Sequence, residues 1–365
     1  MWSHKICILF ISLTITIGGA VTTNCSDNGT GPEPIQNDWP FDPPSTEPLD
    51  AFAMNEKIGR GLNLGNALEA SSEGEWGMVI KDKYLKIIAN AGFNSIRLPI
   101  SWYHHSTSDS THTIDEIFFK RVDHVVQEAL KNDLVVVMNN HHFDPLDENP
   151  EQYWDWQLAL WRQIADRYKK YPDELIFEVL NEPHGNFNID NWNRLADECI
   201  DIIRETNPYR IIVIGGIHYN NYDYLDDLEL PEDDRGIIGT FHYYDPFHFT
   251  HQGAGWVGGN ADEWLGTTWR ATKEQRQDVK EDLDIAAEWS ATTNRPVLLG
   301  EFGAYSKADM NSRYLWTDYV ARSAEERGFS WTYWEFGAGF GAYDRDNNEW
   351  RTMLLKALNP DAVED

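Results

Sequence analysis

The 365-residue sequence predicts an α/β fold, a (β/α)8 TIM barrel closed by eight parallel strands in one large domain. Three observations predict it. From Asn55 onward, short apolar runs alternate with amphipathic stretches, as in a parallel sheet covered on both faces. Eight such runs occur, which favours closure over the rival, an open doubly wound sheet. Polar residues also collect at the C-terminal tips of the runs, where a parallel barrel gathers its chemistry.

The expected strands are Gly61–Leu64, Ser95–Ile100, Leu134–Asn139, Leu175–Leu180, Arg210–Ile214, Ile237–Phe241, Pro296–Leu299 and Phe329–Tyr333. Each is short, apolar and rich in β-branched or aromatic residues. Helical periodicity is read over Asp82–Ala91, Phe118–Lys131, Trp156–Tyr168, Ile189–Glu205, Thr272–Trp289 and Arg313–Glu326. No internal repeat is evident beyond this alternation.

The tips form a biased set. The first strand leads to Asn63, Asn66 and Glu69, and the second contains Arg97. The third ends at His141-His142, the fourth at Asn181-Glu182, and the sixth at His242-Tyr-Tyr244. Glu301 ends the seventh and Trp334-Glu335 the eighth. Glu182 and Glu301 are 119 residues apart, so only a fold that gathers strand ends brings them together. A pair of such carboxylates is the minimal equipment for glycoside hydrolysis.

Local chemistry refines the candidates. Pro183 ends its strand and stiffens the turn that holds Glu182, and Asn181 beside it is a hydrogen-bonding group for a sugar hydroxyl. Gly300 before Glu301 permits close backbone approach to a ligand. Arg97, inside Ile96-Arg-Leu-Pro-Ile100, must be paired if buried, and Glu301 is the expected partner. His242 and Tyr244, at i and i+2, share a face and are expected to tune the nucleophile. Adjacent His141 and His142 point to opposite faces of a strand, and no His-x-His or His-Glu-x-x-His accompanies them. A metal is therefore not expected; substrate hydrogen bonding or carboxylate orientation is. Gly337-Ala-Gly-Phe-Gly341 is out of place for a dinucleotide loop and reads as a flexible loop.

Composition bounds the partners. Sixty acidic against 30 basic residues give a net charge of −30, which repels nucleic acid and anionic membrane surfaces and suits a neutral substrate. Sixteen Trp exceed what a core requires, and flat aromatic faces suit sugar rings. Residues 1–24, with Lys5, an apolar Ile6–Ile17 run and small residues after it, read as an export signal, so a secreted or cell-surface protein is expected. Cys25 follows as a lipoprotein cysteine would, although Thr23-Asn24 is a poor lipobox; a lipid there is the one membrane contact foreseen. The Pro-rich segment 25–50 reads as an extended linker, and the domain as 51–365. Cys199, in a helical pattern, is expected as a buried free thiol, and no disulfide framework arises.

Asn181-Glu-Pro183, Gly300-Glu-Phe-Gly303, the Arg97 strand, His141 and His242-x-Tyr244 together resemble glycoside hydrolase family 5, the cellulase family. Gly59–Ala70, Glu75-Trp-Gly77 and His242–Gly255 are similar to its thermophilic-type endoglucanase/mannanase branch, and the likeness runs from about Asn55 to Leu358. The resemblance implies a retaining endo-β-1,4-glucanase without a cofactor, acting as a monomer on β-1,4-linked polysaccharide. It leaves mannan, mixed-linkage glucan and xyloglucan open as further substrates. It implies Glu182 as acid/base and Glu301 as nucleophile, with Arg97, His141, Asn181, His242 and Tyr244 in support. It also implies sugar contacts from Asn66, Glu69, His142, Trp256 and Trp334. A raised pKa is then expected for Glu182 and a low one for Glu301, kept apart by Arg97.

Overall fold

A computed structural model of the chain describes residues 40–362. The export segment 1–24, Cys25 and the expected linker up to residue 39 lie outside the described residues. Eight parallel strands close into one barrel: β1 (Arg60–Asn63), β2 (Ser95–Leu98), β3 (Val135–Asn139), β4 (Leu175–Glu178), β5 (Ile212–Gly215), β6 (Ile237–Tyr243), β7 (Val297–Phe302) and β8 (Ser330–Tyr333). Each pairs with the next, and β8 returns to β1 through Arg60↔Trp331, Gly61↔Thr332 and Leu62↔Tyr333. The predicted architecture is the observed one.

Four of the long helices begin where side chains cap them. Asp115 accepts from the Ile117 amide and starts the Glu116–Leu130 helix two residues before the periodicity does. Asp309 likewise starts Met310–Glu326 ahead of the expected Arg313. Capping boxes at Asn188 and Thr272 open Ile189–Thr206 and Lys273–Thr293. Pro150 at the first turn extends the fourth-strand approach helix to Pro150–Tyr168, well ahead of Trp156. Between β5 and β6 stand only a left-handed turn over 217–220, with His218, Tyr219 and Asn220 at positive φ, and one 3-10 turn, Tyr222–Tyr224.

Residues 41–50, expected as the end of the linker, belong to the barrel unit, which begins at Phe41. The Ser45 amide donates to Asp173, and Leu49 packs against the core. Asp50 then caps the helix Ala51–Ile58, which seals the N-terminal end of the barrel. Ala51, Met54 and Ile58 from that helix meet Val135, Val137, Ile176, Val213, Ile238 and Leu298 from five strands. Cys199 is buried and unpaired, as expected, and burial raises its thiol pKa. Among the described residues, no helix is long and apolar enough to cross a membrane.

Candidate active site

At the opposite end the strand tips open into a cleft of about 900 Å³. Nine of the twelve residues singled out in the sequence line it: Asn66, Glu69, His141, His142, Glu182, Tyr244, Trp256, Glu301 and Trp334. The other three lie outside the lining: Arg97 bonds Glu301, His242 bonds Glu182, and Asn181 bonds Arg97.

Arg97 is the floor. It is fully buried, and all five of its N–H donors are used. Nε and Nη2 form a bidentate pair with Glu178 at 2.6 and 2.7 Å. Nη1 donates to Glu301 Oε1 at 2.7 Å and to Asn63 Oδ1 at 2.9 Å. Nη2 also donates to Asn181 Oδ1 at 2.7 Å. The Glu301 pairing is the one expected; Glu178, Arg97's closest partner, was missed. The signal was present, since Glu178 is a charge inside the apolar run Leu175–Leu180 and must itself be paired. Asn181, expected on the substrate, spends its oxygen on Arg97, which leaves Nδ2 as its other polar end.

Glu301 Oε2 accepts from the Tyr244 hydroxyl at 2.9 Å, so both of its oxygens are held. Gly300 serves a different purpose from the ligand approach expected of it. A Cβ there would meet Thr240 Oγ1 at 2.8 Å and His242 Nε2 at 3.0 Å, so the glycine makes room for the His242 ring. Glu182 sits at φ +49°, a left-handed backbone that costs a non-glycine residue about 1–3 kcal/mol. Its Oε1 is 2.6 Å from His242 Nδ1. The Asn220 amide lies 3.3 Å from His242 Nε2 and donates to it, which leaves the ring proton on Nδ1 facing Glu182. His242 therefore bears mainly on Glu182, not on the nucleophile candidate as expected; its Nδ1 is 3.7 Å from Glu301. A register shift between Phe241 and His242 in the β6–β7 pairing re-aims the ring.

Electrostatics separate the two carboxyls only in part. Burial pushes Glu182 up to about 7, against the charge of Arg97. Burial also raises Glu301, opposed by His242, Arg97 and the Tyr244 hydrogen bond. The low value expected for Glu301 is thus not found: desolvation of a fully enclosed carboxyl outweighs one guanidinium that Glu178 already shares. Burial brings His242 down to about 4 and His141 well below its usual range, so both rings are neutral near pH 7.

The cleft walls follow. β3 has ended before His141 and His142, so both reach the cleft despite being adjacent. The Asn139 amide is 3.0 Å from His141 Nδ1 and donates to it, because its own oxygen accepts from Ile100; Nε2–H is left for the cleft. Trp334 stacks parallel to His141 at 5.7 Å and an interplanar angle of 8°. Gly65 gives it space, since a Cβ there would lie 2.7 Å from the indole. Trp76 lies edge-on to His142 at 5.6 Å, and Trp256, 61% exposed, lies edge-on to Tyr305 at 4.7 Å. Glu69 is buried beneath the rim with its oxygens taken by the amides of Asn66 and Ala67, and burial lifts it to about 8.

The glycine-rich run 337–341 is neither a dinucleotide loop nor a loose one. The amides of Gly337, Ala338 and Phe340 converge on the buried Glu335 carboxylate at 2.7–3.1 Å. Arg345 ties the same loop to the β1 side through the carbonyls of Gly337 and Gly77. Sequence reading found the strand tip at Glu335 but not this cradle, nor the rim residues Tyr305, Asp344 and Arg351.

Among the described residues, Glu182, His242 and Glu301 are the group whose ligand atoms lie close enough for a metal, within 4.8 Å of one another. Those atoms are engaged with each other, with Tyr244 and with the Arg97 guanidinium, so a divalent cation would displace four contacts beside a fixed positive charge.

Comparison with known proteins places this arrangement. The Cellulase (glycosyl hydrolase family 5) profile matches residues 58–339. Endoglucanase H of Acetivibrio thermocellus is 38% identical over 327 residues, covering 88% of this chain and 35% of that protein. Cellulase/esterase CelE of the same organism is 29% identical, covering 79% of this chain and 37% of its own length. The chain thus spans about a third of the length of these two relatives. Among solved structures, Thermotoga maritima Cel5A, determined with cellobiose and with mannotriose, is 46% identical with a TM-score of 0.83, covering 85% of this chain and 100% of that one.

Proposed function

The chain belongs to glycosyl hydrolase family 5, and on that premise we propose that it is a secreted, retaining endo-β-1,4-glucanase that cleaves internal bonds of cellulose and related β-glucans. The observation that carries the reading is the pairing of Glu182 and Glu301 at the cleft floor, with an oxygen of each within 4.8 Å of the other. Retaining hydrolysis uses carboxyls about 5–5.5 Å apart, and inversion about 6.5–9.5 Å.

The two roles follow from the surroundings. Glu182, at about 7, keeps a proton near neutrality and gives it to the departing glycosidic oxygen. Glu301, oriented by Arg97 and Tyr244, attacks the anomeric carbon and forms a glycosyl-enzyme. Glu182, now ionised, takes a proton from water, which displaces Glu301 and returns the anomeric configuration. His242 Nδ1–H steadies the ionised form of Glu182. Asn66, His141, His142, Trp256 and Trp334 contact the sugars, while Glu69 shapes the wall through the loop it binds. Export rests on residues 1–24, and activity on β-mannan is supported by the mannotriose complex of the Thermotoga maritima relative.

The test is reducing-sugar release from carboxymethylcellulose by wild type and Glu301→Gln. The variant is expected to lose activity by about four orders of magnitude or more, as removal of a nucleophile does. Equal release by both proteins sinks the mechanism, and proton NMR of the first-formed anomer decides retention.

A further inference from the structure

Between β6 and the Lys273–Thr293 helix, residues 244–271 make a long excursion that carries aromatic rings out of the cleft. Tyr244, bound to Glu301, lies edge-on to His251 at 4.9 Å between ring centroids. His251 lines the cleft and stacks flat on Phe247 at 4.1 Å and 16°. Phe247 meets Trp264 edge-on at 5.9 Å, and Trp264 stacks on His248 at 4.3 Å. Neither Phe247, His248 nor Trp264 belongs to the cleft lining.

Phe247 and His248 are exposed and Trp264 is half-buried, yet the group is fixed. Phe247 is 42% exposed, and Leu265 beside Trp264 is 50% exposed. The Thr250 hydroxyl donates to the Tyr244 carbonyl at 2.6 Å, and the His251 amide donates to the Phe247 carbonyl at 2.9 Å, locking the turn beneath them. Exposed aromatic surface among polar residues marks a binding surface, and Asp245, Asp262 and Glu263, exposed, flank these rings in sequence. These acidic residues and the net charge of −30 disfavour an anionic polymer. A neutral sugar chain suits both, because its rings expose C–H faces to aromatic surfaces. His251 lines the cleft and stacks under Phe247, so the Phe247 ring stands directly beside the cleft wall.

We propose that Phe247, flanked by Trp264 and His248, is a sugar-binding platform outside the enclosed cleft, which holds a β-1,4-glucan chain where it runs past the catalytic centre. The proposal rests on the glucanase reading above. A rigid aromatic face placed in advance adds affinity for long chains and none for ligands that end within the cleft.

The experiment compares wild type, Phe247→Ala, Trp264→Ala and Phe247→Trp on barley β-glucan and on a chromogenic cellobioside. Phe247→Ala is expected to raise KM on the long glucan about five- to tenfold, with kcat/KM on the cellobioside unchanged. Phe247→Trp is expected to restore KM. An unchanged KM on the long glucan overturns the platform. So does a parallel loss on the cellobioside, which would make Phe247 a prop for His251. Should Phe247→Ala fail to fold, Trp264→Ala decides by the same two readouts. A wild type inactive on both substrates sinks the glucanase reading. Calorimetry with cellohexaose then still judges the platform, and equal affinity for wild type and variant overturns it.

Discussion

At one end of the barrel Ala51, Met54 and Ile58 plug the strands with apolar side chains, beside one buried polar contact from Asn55 to Ser330. At the other, Asn63 of β1, Arg97 of β2, Glu178 of β4, Asn181 beyond it and Glu301 of β7 are buried in one hydrogen-bonded set. Both sets of side chains are buried, and they are so on opposite terms. The apolar plug stabilises by its burial and tolerates repacking. The polar set repays the desolvation of its charges only through complete satisfaction, so each member depends on every other. The fold places contacts that matter to stability alone at the bottom and contacts that matter to both stability and chemistry at the top.

The widest separation between the two ends is expected from Glu178→Met against Ile58→Ala. Removing one partner of a buried ion pair costs about 3–5 kcal/mol, and a large-to-small core change about 2–5 kcal/mol. Urea unfolding should therefore show similar losses. Activity should not: kcat per folded molecule falls steeply in Glu178→Met, because Arg97 loses the contact that aims it at Glu301, and stays at the wild-type value in Ile58→Ala. Equal kcat in both variants would break the comparison.

The next effect is on pH dependence. Glu182 must carry a proton to act as acid, so kcat/KM should fall as pH rises through about 7, tenfold for each further unit. Ile58→Ala should leave that limb in place. Asn220→Ala, which frees His242 Nε2, should move it. A profile flat to pH 9 would remove Glu182 from the role.

The smallest effect concerns stability. Glu69, Asp147 and Glu182 are raised by burial to about 8, 8 and 7. Each binds a proton more tightly folded than unfolded, so the stability it lends is present at low pH and lost as pH rises through its folded value. The lowered histidines His242 and His251, at about 4, act in the opposite sense and only below about 6.5. Between pH 6.5 and 8, Tm should accordingly decline, and Glu69→Gln should flatten the slope. A Tm that rises over that window would contradict the burial of these carboxyls.

The barrel was legible because its strands are short apolar runs whose period does not depend on their neighbours. Glu182, Glu301 and Arg97 were legible because each is a polar residue where an apolar strand meets its tip. What stayed hidden depends on registers across the barrel. Glu178 faces Arg97 across a strand that separates β2 from β4, a contact no local pattern encodes. His242 turns to Glu182 because of an irregularity in β6 that the sequence Phe-His-Tyr does not announce. The fate of Glu301 depends on how many groups share one guanidinium, which only the assembled floor shows.

The cradle around Glu335 carries a consequence for how this protein could be re-tailored. The loop's path is set by main-chain amides gripping one carboxylate, so its shape is independent of most of its own side chains. Gly337 and Gly339 are fixed by neighbours that a Cβ would strike, Arg345 at 2.9 Å and Tyr305 at 2.7 Å. Ala338 is under no such constraint from the cradle, contributes only its amide and lines the cleft. It is a socket into which lineages or designers can fit different side chains, changing what the cleft accepts while the scaffold that presents them stays put.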